Sequence, residues 1–429
     1  MARPKKNSSI PTAVKLASVP GVVDIITETD ALWDVILKRF QKLARIYGFS
    51  RIYTGVVEDK NLYSNYYKRL PERAGNMLAS EGAGRQLVVP DDFLPSVLRA
   101  YYQNKVFETT PLSKWFYGGF TATANDKKQI TTDFAFGFEI FGAFTHLTEA
   151  QVLSAVWHMV KSLGLEEVVL EINNIGQSEC QEAYQETLRD FLKEKKFQLC
   201  DNCNEHLQGR TLNVFRCDEI NCQAIVSEAP AILDFLDPDS HQHFTNILEA
   251  LDELQIPYQL NPLYAGPEGY SKTNVVIKYK SGSETYVLGE AGYHEDLMQA
   301  ISGKKLSCFG FSGSLSKIRK LLELARIEVT RQKVNDVFLV PLGDLAAKKS
   351  LRLFRDLTTA NISVYDHFGT AGVKNQLKQA ETDKSPIALI MGQKEAMEEM
   401  VILRDVKSGM QEIFSYDKIV EEVRKRLGK

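Results

Sequence analysis

The stretch from Trp115 to Gly142, WFYGGFTATANDKKQITTDFAFGFEIFG, constrains the fold more than any other part of the chain. Aromatic residues crowd Trp115, Phe116, Tyr117 and Phe120, a polar turn follows at Asn125-Asp126-Lys127-Lys128, and Phe134, Phe136, Phe138 and Ile140 then occupy alternate positions. Apolar residues at a period of two mark a strand with a buried face, and two such runs around a polar turn mark a hairpin. A hairpin of this kind buries at least one face in a large antiparallel sheet. The chain can supply the core: it has 429 residues, of which 44% are hydrophobic, and that length points to two or three domains.

Around the hairpin, periodicity switches between helix and strand. The tail from 1 to 12 carries Lys5 and Lys6 and reads as a mobile basic end. Glu28 to Tyr47 predicts an amphipathic helix, with Thr29 or Asp30 as N-cap and Gly48 as the stop. FSRIYTGVVE then reads as a strand, and the pair is a candidate dimer element. The segment from Tyr63 to Gly84 is polar and weakly patterned. Further on come strand QLVVP, helix 94–104, a helix over 147–163 starting at Thr148, strand VVLEINNIG, and helices 180–196 and 240–254. Strands IPYQLNPLYAG, TNVVIKYKSG, ETYVLG and SCFGFSG follow, the last running into helix 315–327. From Val334 strands and helices alternate, predicting an α/β domain with a largely parallel sheet and a boundary near 328–333. The expected fold is therefore α+β: an antiparallel body over 13–328 with an insertion at about 177–250, then an α/β domain over 334–429.

Four of the six cysteines, Cys200, Cys203, Cys217 and Cys222, form two close pairs within LCDNCNEHLQGRTLNVFRCDEINC. Paired-cysteine knuckles point to a tetrahedral thiolate zinc that folds a loop-rich insertion with little core of its own. Such a zinc is structural, with no open position for chemistry, and His206 is a candidate substitute ligand. The alternative is four unrelated cysteines in a helical insertion. The net charge of −3 gives no global pull toward nucleic acid, so RNA contact would rest on local basic patches. No apolar run reaches the roughly 20 residues a membrane helix needs. The N-terminal sequence also lacks a signal-type apolar segment, so the expected location is the cytoplasm.

The order of motifs resembles the histidyl-tRNA synthetases, class II aminoacyl-tRNA synthetases, over nearly the whole chain. VPGVVDIITETDALWDVILKRFQKLARIYGFSRIYTGVVE is similar to the family's first helix and dimer-forming motif 1, and the hairpin has the frame of motif 2. LEINNIG is similar to the family's strand ending in N-x-I-G, GFSGSL occupies motif 3, and GVKNQLKQAETDKSPIALIMGQKE resembles the anticodon-binding domain. The resemblance implies a dimeric synthetase body, ATP as a reactant with magnesium stabilising its phosphates, histidine as the activated amino acid and tRNA(His) as acceptor.

The same resemblance marks what the chain lacks. The family's motif 2 pattern F-R-x-E reads Phe120-Thr121-Ala122-Thr123, and arginines further along the hairpin correspond to Gln129 and Thr131. R-G-L-D-Y-Y corresponds to Ala265-Gly266-Pro267-Glu268-Gly269-Tyr270, G-x-x-x-G-x-E-R to Gly310 through Lys317, and L-R-P-E-x-T to Val88 through Phe93. Thr121, Thr123, Gln129, Ala265 and Lys317 are thus degenerate catalytic positions. Glu139, Glu268 and Tyr270 are the retained amino-acid-pocket candidates, with satisfied sheet carboxylates as the alternative for the two glutamates. Loss of one preorganised charge-stabilising donor costs roughly 100- to 1,000-fold in rate.

Three functions follow. The preferred one is a synthetase-like pseudoenzyme that binds tRNA or a protein partner, such as an authentic synthetase or a biosynthetic enzyme. The second is an active divergent ligase in which Lys317, Lys272, Lys127 and Lys128 replace the arginines. The third is an amino-acid sensor. Lys374, Lys378, Lys384, Lys394 and Arg404, with 424–426 nearby in sequence, form the candidate tRNA-binding set, against which stands an ordinary solvated face.

Overall fold

The computed structural model describes residues 17–26, 31–67, 78–82, 84–124, 129–209, 211–267, 269–327, 336–366 and 372–429. The basic tail, Thr29, Asp30, the turn at Asn125 to Lys128, Glu268 and the boundary at 328–333 lie outside these residues. The chain divides into two units, Met1–Val329 and Thr330–Lys429.

The first unit is built on an eight-stranded sheet. Its spatial order is Ser50–Arg51, Leu112–Ala124, Ile130–Gly142, Cys308–Ser314, Glu284–Tyr293, Ser271–Ser281, Val168–Asn174 and Tyr258–Leu260. The two short edge strands pair in parallel and every inner pairing is antiparallel. The hairpin pairs without a break from Leu112 opposite Gly142 to Ala124 opposite Ile130. Its aromatic alternation works as the pattern requires. Phe134, Phe136, Phe138 and Ile140 enter one core with Phe309 and Phe311, beneath the helices Ala31–Ile46, His146–Ser162, Pro238–Glu253 and Leu315–Leu324. Each fully buried phenylalanine there contributes roughly 1.5–3 kcal/mol.

Helix Ala31–Ile46 buries Trp33, Ile36, Phe40 and Ala44, a stripe at spacings of three and four. It stops at Gly48, whose φ of +77° turns the chain so that Phe49 N–H bonds the Ala44 carbonyl. The strand expected over 49–58 shrinks to Ser50–Arg51 and Glu58–Asp59. In the weakly patterned region, helix Lys60–Tyr67 buries three tyrosines, Tyr63, Tyr66 and Tyr67. With helices Leu94–Gln103 and Glu295–Ser302 they cover the opposite face of the sheet, around Tyr117, Phe141, Tyr270 and Cys308.

The insertion departs from the expected loop-rich segment because it has its own small core. Tyr184, Leu188 and Leu192, on one face of helix Ser178–Glu194, pack with Leu199, Leu207, Val214, Ile225 and Val226.

The second unit carries a five-stranded sheet in the order Val364–Asp366, Val337–Pro341, Ile387–Met391, Met400–Asp405, Gln411–Ser415. Only the first two pairings are parallel, and the last two are antiparallel, which corrects the expectation of a largely parallel sheet. The connection through helix Gln393–Glu398 is shorter than the dozen or so residues a parallel crossover needs. The turn at Gly409, with φ +75°, then closes a hairpin.

Candidate functional site

Residues directly opposite in an antiparallel pair share a face. Trp115 with Glu139, Tyr117 with Gly137, Thr121 with Asp133 and Thr123 with Thr131 therefore define the face opposite the main core. Its centre is Glu139, which is fully buried and lies across Gly310, where an added Cβ would come within 2.1 Å of the carboxylate. Tyr117 lies over Gly137 in the same way, 2.3 Å from such a Cβ, and its hydroxyl is 2.9 Å from Ser312 Oγ. The two glycines are what allow these side chains to lie flat on the sheet.

Glu139 Oε2 is 3.2 Å from Nδ1 of His294, also fully buried, and Tyr270 packs on the His294 ring at 4.5 Å between centroids. Burial pushes the Glu139 carboxyl above the usual range, and the neighbouring His294 opposes that shift without cancelling it. Asp92 adds to the upward push, so a second carboxylate lies close by. Asp92 and its neighbour are held from helix Lys60–Tyr67. Tyr66 hydroxyl donates to Asp92 at 3.2 Å, Tyr63 hydroxyl to the Asp92 carbonyl at 2.7 Å, and Tyr67 hydroxyl to the Asp91 carboxylate. Burial, reinforced by these carboxylates, holds the Tyr67 phenol far above its ordinary pKa, so it stays a donor.

Four buried polar atoms in this region, Glu139 Oε1, His294 Nε2, Thr273 Oγ1 and Asn274 Oδ1, have no hydrogen-bond partner among the described residues. An unpaired buried polar atom costs roughly 1–3 kcal/mol. A cluster of them marks a place kept for something other than packing.

Of the residues singled out by sequence, Glu139 and Tyr270 are brought together through His294. Thr121 is buried on the same face of the hairpin, Thr123 is half-buried nearer its tip, and Gln129 is exposed just before the second strand. Ala265 is half-buried in the loop before Tyr270. Lys317 is exposed in the first turn of helix Leu315–Leu324, its backbone N–H taken by the cap Ser314 Oγ at 3.0 Å. Lys272 is committed elsewhere, 3.1 Å from Glu295 and 4.5 Å over the Tyr293 ring. His294, Asp92 and Tyr117 were not singled out by sequence. A lone histidine closing the strand Glu284–Tyr293 was the available signal.

The four cysteines converge. The sulfurs of Cys200, Cys203, Cys217 and Cys222 all lie within 4.8 Å of one another, and Cys200 and Cys217 are 3.8 Å apart. Tetrahedral zinc thiolates at about 2.3 Å from the ion have sulfurs about 3.8 Å apart, so the group can hold a metal ion. Cys200 caps helix Asp201–His206, accepting from the Cys203 N–H at 3.4 Å, and that bond pulls its thiol pKa down. Burial pushes Cys203 and Cys222 up. All four are free thiols, and His206 is not part of the group.

In the second unit, Lys374 and Lys378 are exposed one turn apart on helix Val373–Thr382, and Lys384 and Lys394 are exposed beyond it. Arg404 sits opposite Ala388, so it emerges on the sheet face covered by that helix, where Leu377 and Ala380 pack on Ala388 and Ile390. Arg426 does not extend this set. It pairs with Glu412 at 2.6 Å and Glu422 at 2.9 Å, on a helix whose Ile419 and Val423 pack in the unit's other core.

An antiparallel sheet of this order, with a long aromatic hairpin as its second and third strands and a carboxylate buried beneath the covering helices, resembles the fold of histidyl-tRNA synthetases. The fold matches the apo histidyl-tRNA synthetase of S. aureus with a TM-score of 0.78, at 24% identity over 95% of this chain and 100% of that one. It also matches the enzyme from Nostoc sp. PCC 7120 at 0.70 and 16% identity, over 96% of this chain and 100% of that one. In sequence it is 26% identical to a histidine–tRNA ligase of Dehalococcoides mccartyi over 414 residues, 95% of this chain and 99% of the relative. One from Clostridium botulinum is 27% identical over 410 residues, 93% of this chain and 96% of the relative. Residues 336–426 match the anticodon binding domain family. Over nearly its whole length the chain is thus similar to histidine–tRNA ligases, at modest identity. No helix among the described residues is long and apolar enough to cross a membrane.

Proposed function

We propose that this chain is a histidyl-tRNA synthetase-like protein that does not carry out ordinary aminoacylation and acts by binding. The observation behind this reading is the chemistry of the sheet face that carries Glu139. Adenylate formation needs preorganised cations around the phosphates of ATP. Glu139, Asp92, Tyr117 and Thr121 lie on or beside this face, and every one is acidic or neutral. Gln129, Ala265 and the exposed Lys317 stand where the family's arginines are expected, and a lysine lacks the planar two-pronged contact of a guanidinium. ATP and magnesium belong to this protein only if it is a ligase. Pyrophosphate exchange with histidine and ATP decides between the readings: background exchange is expected, and robust exchange would sink the pseudoenzyme.

The binding surface on this reading is the second unit, with Lys374, Lys378, Lys384 and Arg404 toward tRNA, tRNA(His) first. Its match to the anticodon-binding family supports RNA over a purely metabolic partner. Binding should weaken steeply with salt, and replacing a lysine that contacts a phosphate should reduce the salt slope by about one. Affinity insensitive to salt would assign the surface to another partner, an authentic synthetase or a biosynthetic enzyme. Two copies of this chain are expected to pair through helix Ala31–Ile46, beside which Ile46, Tyr53 and Val56 are 65%, 81% and 82% exposed. The four cysteines are read as a closed, structural zinc site.

Two other readings each have an observation in their favour. Similarity over 95% of the chain favours an active ligase, although Lys272, one proposed arginine substitute, is already paired. The unpartnered Glu139 Oε1 and His294 Nε2 favour an amino-acid sensor. A ligand at about 100 times its dissociation constant would add roughly 2.7 kcal/mol, which a thermal-shift series with histidine and ATP would detect.

A further inference from the structure

The cysteine cluster and the amino-acid side of the site are joined by one side chain. Arg216 ends the short turn Thr211–Arg216 and directly precedes Cys217. Its Nη2 donates to the carbonyl of Gly266. Gly266 is pinned from the other side as well. Its φ is +65°, and a Cβ there would fall 2.2 Å from Asn274 Oδ1, so the backbone presses on the sheet. Four residues on, Tyr270 packs against His294, which in turn contacts Glu139. Between the insertion and this segment lies a cleft of about 210 Å³, lined among others by Gln181, Gln185, Asn213, Arg216, Gly266 and Tyr270.

We propose that the metal cluster holds the Ala265–Tyr270 segment in place through Arg216, so that metal occupancy sets the shape of the amino-acid side of the site. Tying Cys217 to the other three thiolates fixes the backbone from which the Arg216 guanidinium reaches Gly266. Releasing the ion frees that anchor and loosens the wall of the cleft. A contiguous path becomes a coupling only when both ends are shown to move together. The proposal rests on reading the cysteine cluster as a metal site, and the test separates the two.

Hydrogen exchange of the full chain is followed over peptides spanning 263–272, in the wild type with and without chelator and in C217S, R216A and R216K. Metal content is read from the charge-transfer absorption of cobalt-substituted protein. Chelation, C217S and R216A should each speed exchange in this segment by about tenfold, the scale of one charge-assisted hydrogen bond. R216A should keep the cobalt band, and R216K, which retains a cationic donor, should restore most of the protection. Wild-type exchange in R216A overturns the proposal, as does metal removal that leaves 263–272 unchanged. A wild type that shows no cobalt band fails the metal reading itself and overturns the coupling with it.

Discussion

The two faces of the hairpin Leu112–Gly142 carry the same backbone and opposite logic. On one, Phe40 sits edge-on to Phe116, Phe136 and Phe138, with ring centroids 5.0–5.5 Å apart, and the core closes over hydrocarbon. On the other, Tyr117 and Glu139 lie flat over glycines, and Glu139 and His294 each keep a buried polar atom with no partner among the described residues. The first face is determined by volume and burial, so any sequence with large apolar residues at alternate positions would serve it. The second retains polar groups that cost stability, which packing alone would not preserve. The contrast teaches that one sheet can be closed in two ways, on one side by filling volume with hydrocarbon and on the other by burying a carboxylate against a histidine.

The largest effect should come from the packed face. Phe138→Ala empties a fully buried site and should cost about 3–5 kcal/mol, read from the urea midpoint. A loss under about 1 kcal/mol would mean the core is looser than its ring contacts indicate. Next, Gly310→Ala on the opposite face forces the Glu139 carboxylate to move and should cost about 1–3 kcal/mol. Combined with Glu139→Ala its cost should shrink, because the obstacle has gone; strict additivity would separate the two residues.

The smallest effect is a change of slope. Glu139 is pushed above its ordinary carboxylate pKa, so the folded state holds its proton where the unfolded state has released it. This group therefore erodes stability as pH rises from the ordinary glutamate range up to the raised folded value. Glu139→Gln lacks that term. Its stability relative to wild type should climb across that window and level off above it. A difference independent of pH would show that the His294 contact cancels the effect of burial, and one that falls with pH that it outweighs it.

The parts of this fold legible in sequence were those with a single dominant signal. The hairpin announced itself by its period of two, and the first helix by its apolar stripe and Gly48. Helix Lys60–Tyr67 was hidden because its buried face is tyrosine, which reads as mixed polar until the carboxylates receiving its hydroxyls are known. The strand over 49–58 was overcalled because its apolar residues are exposed, Tyr53 and Val56 among them. The insertion's core was missed because its apolar residues are scattered among charges and meet only in three dimensions. At the candidate site, Glu139 and Tyr270 were picked out by correspondence of motifs, and the structure brings them together. His294 was not, since what distinguishes it is burial against Glu139, and burial of a lone histidine leaves no local pattern.

The distribution of tryptophan gives this molecule a built-in optical division. Its three indoles are Trp33, Trp115 and Trp157, all within the first unit. Trp33 stacks on Phe120 and meets Phe134 edge-on, in the main core, whereas Trp115 stands directly opposite Glu139 and packs against Tyr101 and Phe141 in the core on the other face. Tryptophan emission is thus blind to the second unit, and variants that keep one indole at a time would report separately on the cores of the two faces.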